Sequence, residues 1–319
     1  LLLLAPVVAG ANWQAMGDAL AQAEGPWFFA GAMVLFTLEG VFASLRLGLF
    51  ADRPQAGRPP ARRAFAANAL YVLGVAFLPA RLGEGVGILV MNRMLGLRAG
   101  AAVIAVVAQR LFDLLVLTGM VLPVVVVITG LGAWTTRLAV GETVLLGLAA
   151  AAVLLTSALL LRRPGLVLTP AAACGRRHRT GAGRLLRGAI RLALQGRLWA
   201  RRVYPGISHA LAGGVTLAKW CANVGGLFAV LMAAGIEMAP GALLVIGVLY
   251  NFLLAVPIPT IGGIGLSEAG LTALLTLAGV PIADAAAASL LVRALLLIVP
   301  VVYAGGTWAL LAATEGGAR

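Results

Sequence analysis

Six charged side chains are embedded in apolar sequence, and their order repeats. Glu84 ends the break LPARLGE (78–84), and Arg110 follows it by 26 positions within AVVAQR. Glu268 lies in the glycine-rich break PTIGGIGLSE (259–268), and Arg293 follows it by 25 within ASLLVR. Asp113 comes three residues after Arg110, on the same face of a helix, and Arg81 adds a cation at the first break. Asn68 and Asn251 precede the two breaks by similar distances. Arginine grips phosphate through paired N–H donors, and glycine-rich breaks expose helix N-termini that also favour anions. Arg81, Glu84, Arg110, Asp113, Asn251, Gly262, Gly263, Gly265, Glu268 and Arg293 therefore form a candidate site for a polar, phosphate-bearing head group. The plainer alternative makes Glu84–Arg110 and Glu268–Arg293 structural ion pairs that pin each break to the next helix. A pair that opens for a substrate satisfies both.

The surroundings of these residues decide what solvent they meet. Of 319 residues, 61% are hydrophobic and 11% charged, with a mean hydropathy of +1.02; an ordinary globular chain has about 25% charged residues. So few charges cannot cover a water-soluble surface, so the chain is a multi-spanning membrane protein. A disordered chain and a disulfide scaffold are excluded too, the only cysteines being Cys174 and Cys221, both expected as free thiols. The net charge of +13 suggests nucleic acid, but it resides in loops beside apolar spans. There it reads as a topology signal and as attraction to anionic lipid.

Spans are predicted at 26–49, 99–129, 143–161, 207–235 and 284–313, with Leu1–Gly10 as the tail of an earlier one. The loops 50–63 and 162–206 are arginine-rich, whereas 11–25, 130–142 and 236–240 carry the acids. The positive-inside rule places the first two, and the C-terminus, in the cytoplasm. Residues 64–97 and 241–280 are too short and too broken for ordinary pairs of spans. Freed backbone groups survive at membrane depth only inside protein or beside a wet cavity, so each reads as a re-entrant hairpin of two half-helices; kinked full spans are the alternative. Three spans separate the two units, so the second enters from the opposite face. The expected fold is all-α: one polytopic transmembrane domain over 1–319, with inverted-topology repeats at about 26–129 and 207–313. Such paired interruptions point to a midplane site.

Other features are subsidiary. Residues 183–202 alternate arginines with Leu186, Ile190, Leu194 and Trp199, which suits an amphipathic helix on anionic inner-leaflet lipid. Glu39 and Lys219 are single charges within spans, with no partner evident from the sequence. His178 and His209 are the only histidines, and no metal-ligand spacing, P-loop lysine or dinucleotide fingerprint occurs. Neither metal, cofactor nor nucleic acid is expected.

The motifs LPARLGE, NRMLG, QRLFDLL (109–115), PTIGGIGLSEAGL and VRALLLIVP resemble the lysylphosphatidylglycerol synthase transmembrane-region family, flippase-like membrane proteins, over roughly 26–313. Arg81, Gly83, Glu84, Arg110, Asp113, Gly262, Gly263, Gly265, Glu268 and Arg293 match its pattern. The chain departs from it at Gln109, often glutamate in the family, which removes one expected anion beside Arg110. The resemblance implies a stand-alone lipid translocator without the synthase domain, handling a phospholipid, polyprenyl-linked or hopanoid lipid. A membrane enzyme acting on lipid, or an anchor for a separately encoded lipid synthase, are the alternatives.

Overall fold

The computed structural model describes residues 4–21, 24–51, 59–78, 82–130, 209–255 and 264–316. These residues form helices and no strand. The first six are α1 (Leu4–Gly10), α2 (Trp13–Ala21), α3 (Gly25–Phe50), α4 (Ala61–Phe77), α5 (Leu82–Arg93) and α6 (Ala99–Gly130). The remainder are α7 (His209–Ala233), α8 (Pro240–Ala255), α9 (Leu266–Leu277) and α10 (Ile282–Gly316). Helices α3, α6, α7 and α10 are long and apolar enough to cross a membrane. At 1.5 Å per residue, α4, α5, α8 and α9 reach roughly 18–26 Å, short of a hydrocarbon core of about 30 Å. The breaks in 64–97 and 241–280 thus fall between short helices, as their polar and glycine content requires. The expected span 143–161 and the amphipathic stretch 183–202 lie outside the described residues.

Local chemistry sets these boundaries. Leu78 is extended, with ψ 141°, because the ring of Pro79 disfavours helical backbone before it. Gly96 and Gly279 turn the chain towards α6 and α10 with φ of +71° and +96°, a conformation costly for a residue with a Cβ. The segment 11–25, expected as a loop, contains α2 instead. Asn12 docks it by donating its backbone N–H to the Ala283 carbonyl at 3.0 Å and its side-chain amide to Asp284 at 3.1 Å.

Helices α4 and α5 pack antiparallel and very closely. A Cβ on Gly83 would stand 2.5 Å from the Val75 Cα, one on Gly74 would meet Val86, and one on Gly87 would meet the Tyr71 ring. Helices α3 and α7 are also antiparallel: Phe36 packs on Gly226 and Glu39 accepts from Asn223, while Leu47 and Ala212 share a core cluster. One core joins α3, α7, α8, α9 and α10 around Phe36, Val230, Leu271 and Val292. A second joins α3, α4, α5, α6 and α7 around Phe50, Met91, Ala105 and Phe112.

The series α3–α6 and α7–α10 match in order and length, and α5 and α9 are both 12 residues. Gly279 follows Gly96 at the same interval as Ile282 follows Ala99 and Arg293 follows Arg110. Asn251 follows Asn68 at that interval too, and each reaches back 28 residues, Asn68 to the Gly40 carbonyl and Asn251 to Asn223. Charge separates the ends of the bundle. Exposed Arg62 and Arg63 begin α4, exposed Arg93 ends α5, and exposed Arg98 immediately precedes α6. Glu237 precedes α8 and Asp284 lies in the first turn of α10, both lining a cavity with Asn12.

Candidate functional site

Glu84 lies in the first turn of α5, placed there by the break before it. Arg110 of α6 pairs with it and donates to the Tyr71 hydroxyl at 2.9 Å and to Asp113 at 3.4 Å. Tyr71 of α4 donates in turn to the other Glu84 oxygen at 2.8 Å. The absence of side chains at Gly83 and Gly87 lets α4 approach closely enough for this triangle to form. Arg110 takes one anion, Glu84, from α5 and the other, Asp113, from its own helix, so Gln109, which donates to the Ala105 carbonyl at 3.3 Å, leaves no gap in the pairing.

Asp113 joins this triangle to a deeper network. It pairs with Arg46 of α3, accepts the Trp220 indole N–H of α7 at 2.8 Å, and lies 3.8 Å from Lys219. Lys219 is also 3.5 Å from Glu39 and 3.4 Å from the centre of the Trp220 ring. Asn223 donates to Glu39 at 2.9 Å and accepts from Asn251 of α8 at 2.9 Å. A polar chain therefore runs unbroken through five helices, from α5 through α6, α7 and α3 to α8. Charges so deeply buried persist only when paired and hydrogen-bonded, and here each cation faces at least one carboxylate.

The second pair is constructed differently. One oxygen of Glu268, in the first turn of α9, accepts from the Gly265 backbone N–H and the Ser267 hydroxyl, both at 2.7 Å. Its other oxygen lies 3.3 Å from Nε of Arg293 on α10. The Thr272 and Ser289 hydroxyls join the same two helices at 2.9 Å. Gly265 reaches its capping position with φ +88°. The side chains of Arg293 and Glu268 are 11% and 1% accessible, against 43% and 23% for Arg110 and Glu84.

The structure thus gathers Glu84, Arg110 and Asp113 into one cluster and Gly265, Glu268 and Arg293 into another. Asn251 joins the first through Asn223, and its neighbour Tyr250 lies beside Glu268 and Arg293. Arg81, Gly262 and Gly263 lie outside the described residues. The cavity beside Asn12, about 480 Å³ in volume, is lined by none of the expected site residues.

Sequence reasoning left Glu39 and Lys219 without partners and did not single out Arg46, Tyr71, Trp220 or Asn223 for this role. Helical spacing carried a signal: Glu39 and Arg46 are seven residues apart, two turns along one face, and Lys219 and Asn223 are four apart.

Compared with known families, the model described as "Lysylphosphatidylglycerol synthase TM region" matches residues 1–304. No match was found among curated proteins.

Proposed function

The chain belongs to the lysylphosphatidylglycerol synthase transmembrane-region family and is a multi-pass membrane protein; from that premise we propose that it is a translocator of a polar lipid in the bacterial inner membrane. The lipid is a phospholipid, a polyprenyl-linked lipid or a hopanoid lipid, and the protein moves it without chemical change. Its head-group phosphate replaces Glu84 on Arg110, with Asp113 holding Arg110 in place; Arg81 and Asn251 are proposed as further head-group contacts. The acyl or isoprenoid tail stays in the bilayer.

The observation that carries this reading is the accessibility of Arg110, 43% of its side chain, about 17 Å along its span at 1.5 Å per residue. An ionisable group facing hydrocarbon at that depth costs about 2.5–3.5 kcal/mol on insertion scales. The free side of Arg110 therefore faces a polar filling, and a lipid's head group is the polar object a bilayer supplies.

In this reading α4–α5 and α8–α9 are re-entrant hairpins of inverted repeats. The basic ends of α4 and α5 support entry from the cytoplasm, and the acids near α8 and α10 support entry from the other face. The loops 50–63 and 162–206 and the C-terminus are then cytoplasmic, with 183–202 resting on anionic lipid and a separate lipid synthase as a possible neighbour. Glu268–Arg293, with Gly265, is the corresponding gate, closed in this arrangement. Proteoliposomes carrying a fluorescent phospholipid test the proposal. Arg110→Ala should slow translocation at least tenfold with folded yield retained, and Arg110→Lys should fall between, since lysine keeps the charge but not the fork. A wild-type rate in Arg110→Ala would remove the head-group role.

A further inference from the structure

Lys219 is the chain's single lysine, and it stands between two carboxylates without a close bond to either. It is 3.5 Å from Glu39 and 3.8 Å from Asp113, beyond the usual 2.7–3.2 Å of a hydrogen bond. Asp113 has other partners in Arg46, Arg110 and Trp220. Glu39 has Lys219 and the neutral amide of Asn223. Glu39 is also the more open carboxylate, 22% accessible against 6% for Asp113.

The elements around Glu39 contribute little else that ionises. From α10, Tyr303 packs on Gly40 and bonds to Ser44, and from α4, Asn68 donates to the Gly40 carbonyl. Helix α2 meets the start of α3 beside Gly25. Behind Lys219 stand Asp113 and its two arginines.

Within the cluster, Arg46, Arg110 and Lys219 balance Glu39, Glu84 and Asp113. A phosphate arriving at Arg110 would leave one negative charge in excess inside a low-dielectric bundle. We propose that Glu39 is a proton-binding site coupled to the head-group site, taking up one proton for each phosphate bound. The proton forms an O–H bond on the Glu39 carboxylate. Lys219 keeps its own proton and moves its charge towards Asp113, and the cluster becomes net positive by the one charge the phosphate neutralises. This rests on the head-group reading of Arg110 and gives that site its coupling ion.

The test uses the purified full chain in detergent with two probes, a short-chain phosphatidylglycerol and inorganic phosphate. Titration calorimetry in buffers of different ionisation enthalpy counts protons taken up on binding. The expected result is about one proton with the lipid probe and, by linkage, affinity falling about tenfold per pH unit wherever that proton is taken up. Inorganic phosphate binding equally well would identify the anion alone as the ligand. Glu39→Gln should bind without proton uptake or pH dependence, and Glu39→Asp should restore both. Uptake unchanged in Glu39→Gln, or binding by the wild type with no proton, overturns the proposal.

A second reading needs no ligand. Lysine labelled with ¹³C at Cε gives one side-chain resonance, which should shift as Glu39 titrates and stay fixed in Glu39→Gln. A resonance that never titrates overturns the proton site. One that titrates while neither probe binds leaves the proton site standing and removes the head-group reading instead.

Discussion

Two glutamate–arginine pairs each join a short helix to a long one, each glutamate in the first turn of a 12-residue helix. They differ in what surrounds them. The Glu84–Arg110 pair is partly open and is joined to its neighbours through the side chains of Tyr71 and Asp113. The Glu268–Arg293 pair is sealed, with Glu268 held by its own helix cap and by Ser267. Both carry the same charges, but the cation of the first is the more accessible, 43% against 11%. The first pair is thus suited to exchanging partners and the second to holding two helices together until it is forced apart.

Substitutions can break or sharpen that contrast. Glu268→Ala removes the buried carboxylate beside Arg293, and breaking a buried pair should cost about 3–5 kcal/mol, read as a lowered unfolding midpoint in detergent. An unchanged midpoint would mean that the second pair is as open as the first. Gly83→Ala drives a Cβ into the Val75 backbone and should cost about 1–3 kcal/mol, as overpacking does. Gly85→Ala, with nothing within 4 Å, should stay within about 0.5 kcal/mol of wild type. A matching pair of effects would show that α4 and α5 are not in close contact. Asn251→Ala leaves Asn223 short of a donor and should cost about 1 kcal/mol. Glu84→Ala should cost little stability, about 0–1 kcal/mol as for accessible ion pairs, while altering translocation.

Much of this arrangement was legible in the sequence. The near-equal spacing of Glu84 to Arg110 and Glu268 to Arg293, 26 and 25 positions, marked both pairs because each is set by one short helix and one turn. The spans at 26–49, 99–129, 207–235 and 284–313 were legible from hydropathy, and each contains a helix within a few residues. The inner network was not assigned, because Arg46 meets Asp113 across 67 residues and Trp220 meets it across 107. Periodicity gives the face of a helix that carries a charge, not the helix that face will meet. Helix α2 escaped for the same reason, its anchor being the contact of Asn12 with Asp284, 272 residues away. The contrast in accessibility was hidden too, since both breaks offer glycine, proline and glutamate alike.

The most direct test is a cryo-electron microscopy map of the chain in lipid nanodiscs, at a resolution that shows head groups. The account predicts phosphate density within hydrogen-bonding reach of Arg110, Glu84 displaced from it, and Arg293 still on Glu268. Head-group density at Arg293 with the Glu84–Arg110 pair intact would contradict it.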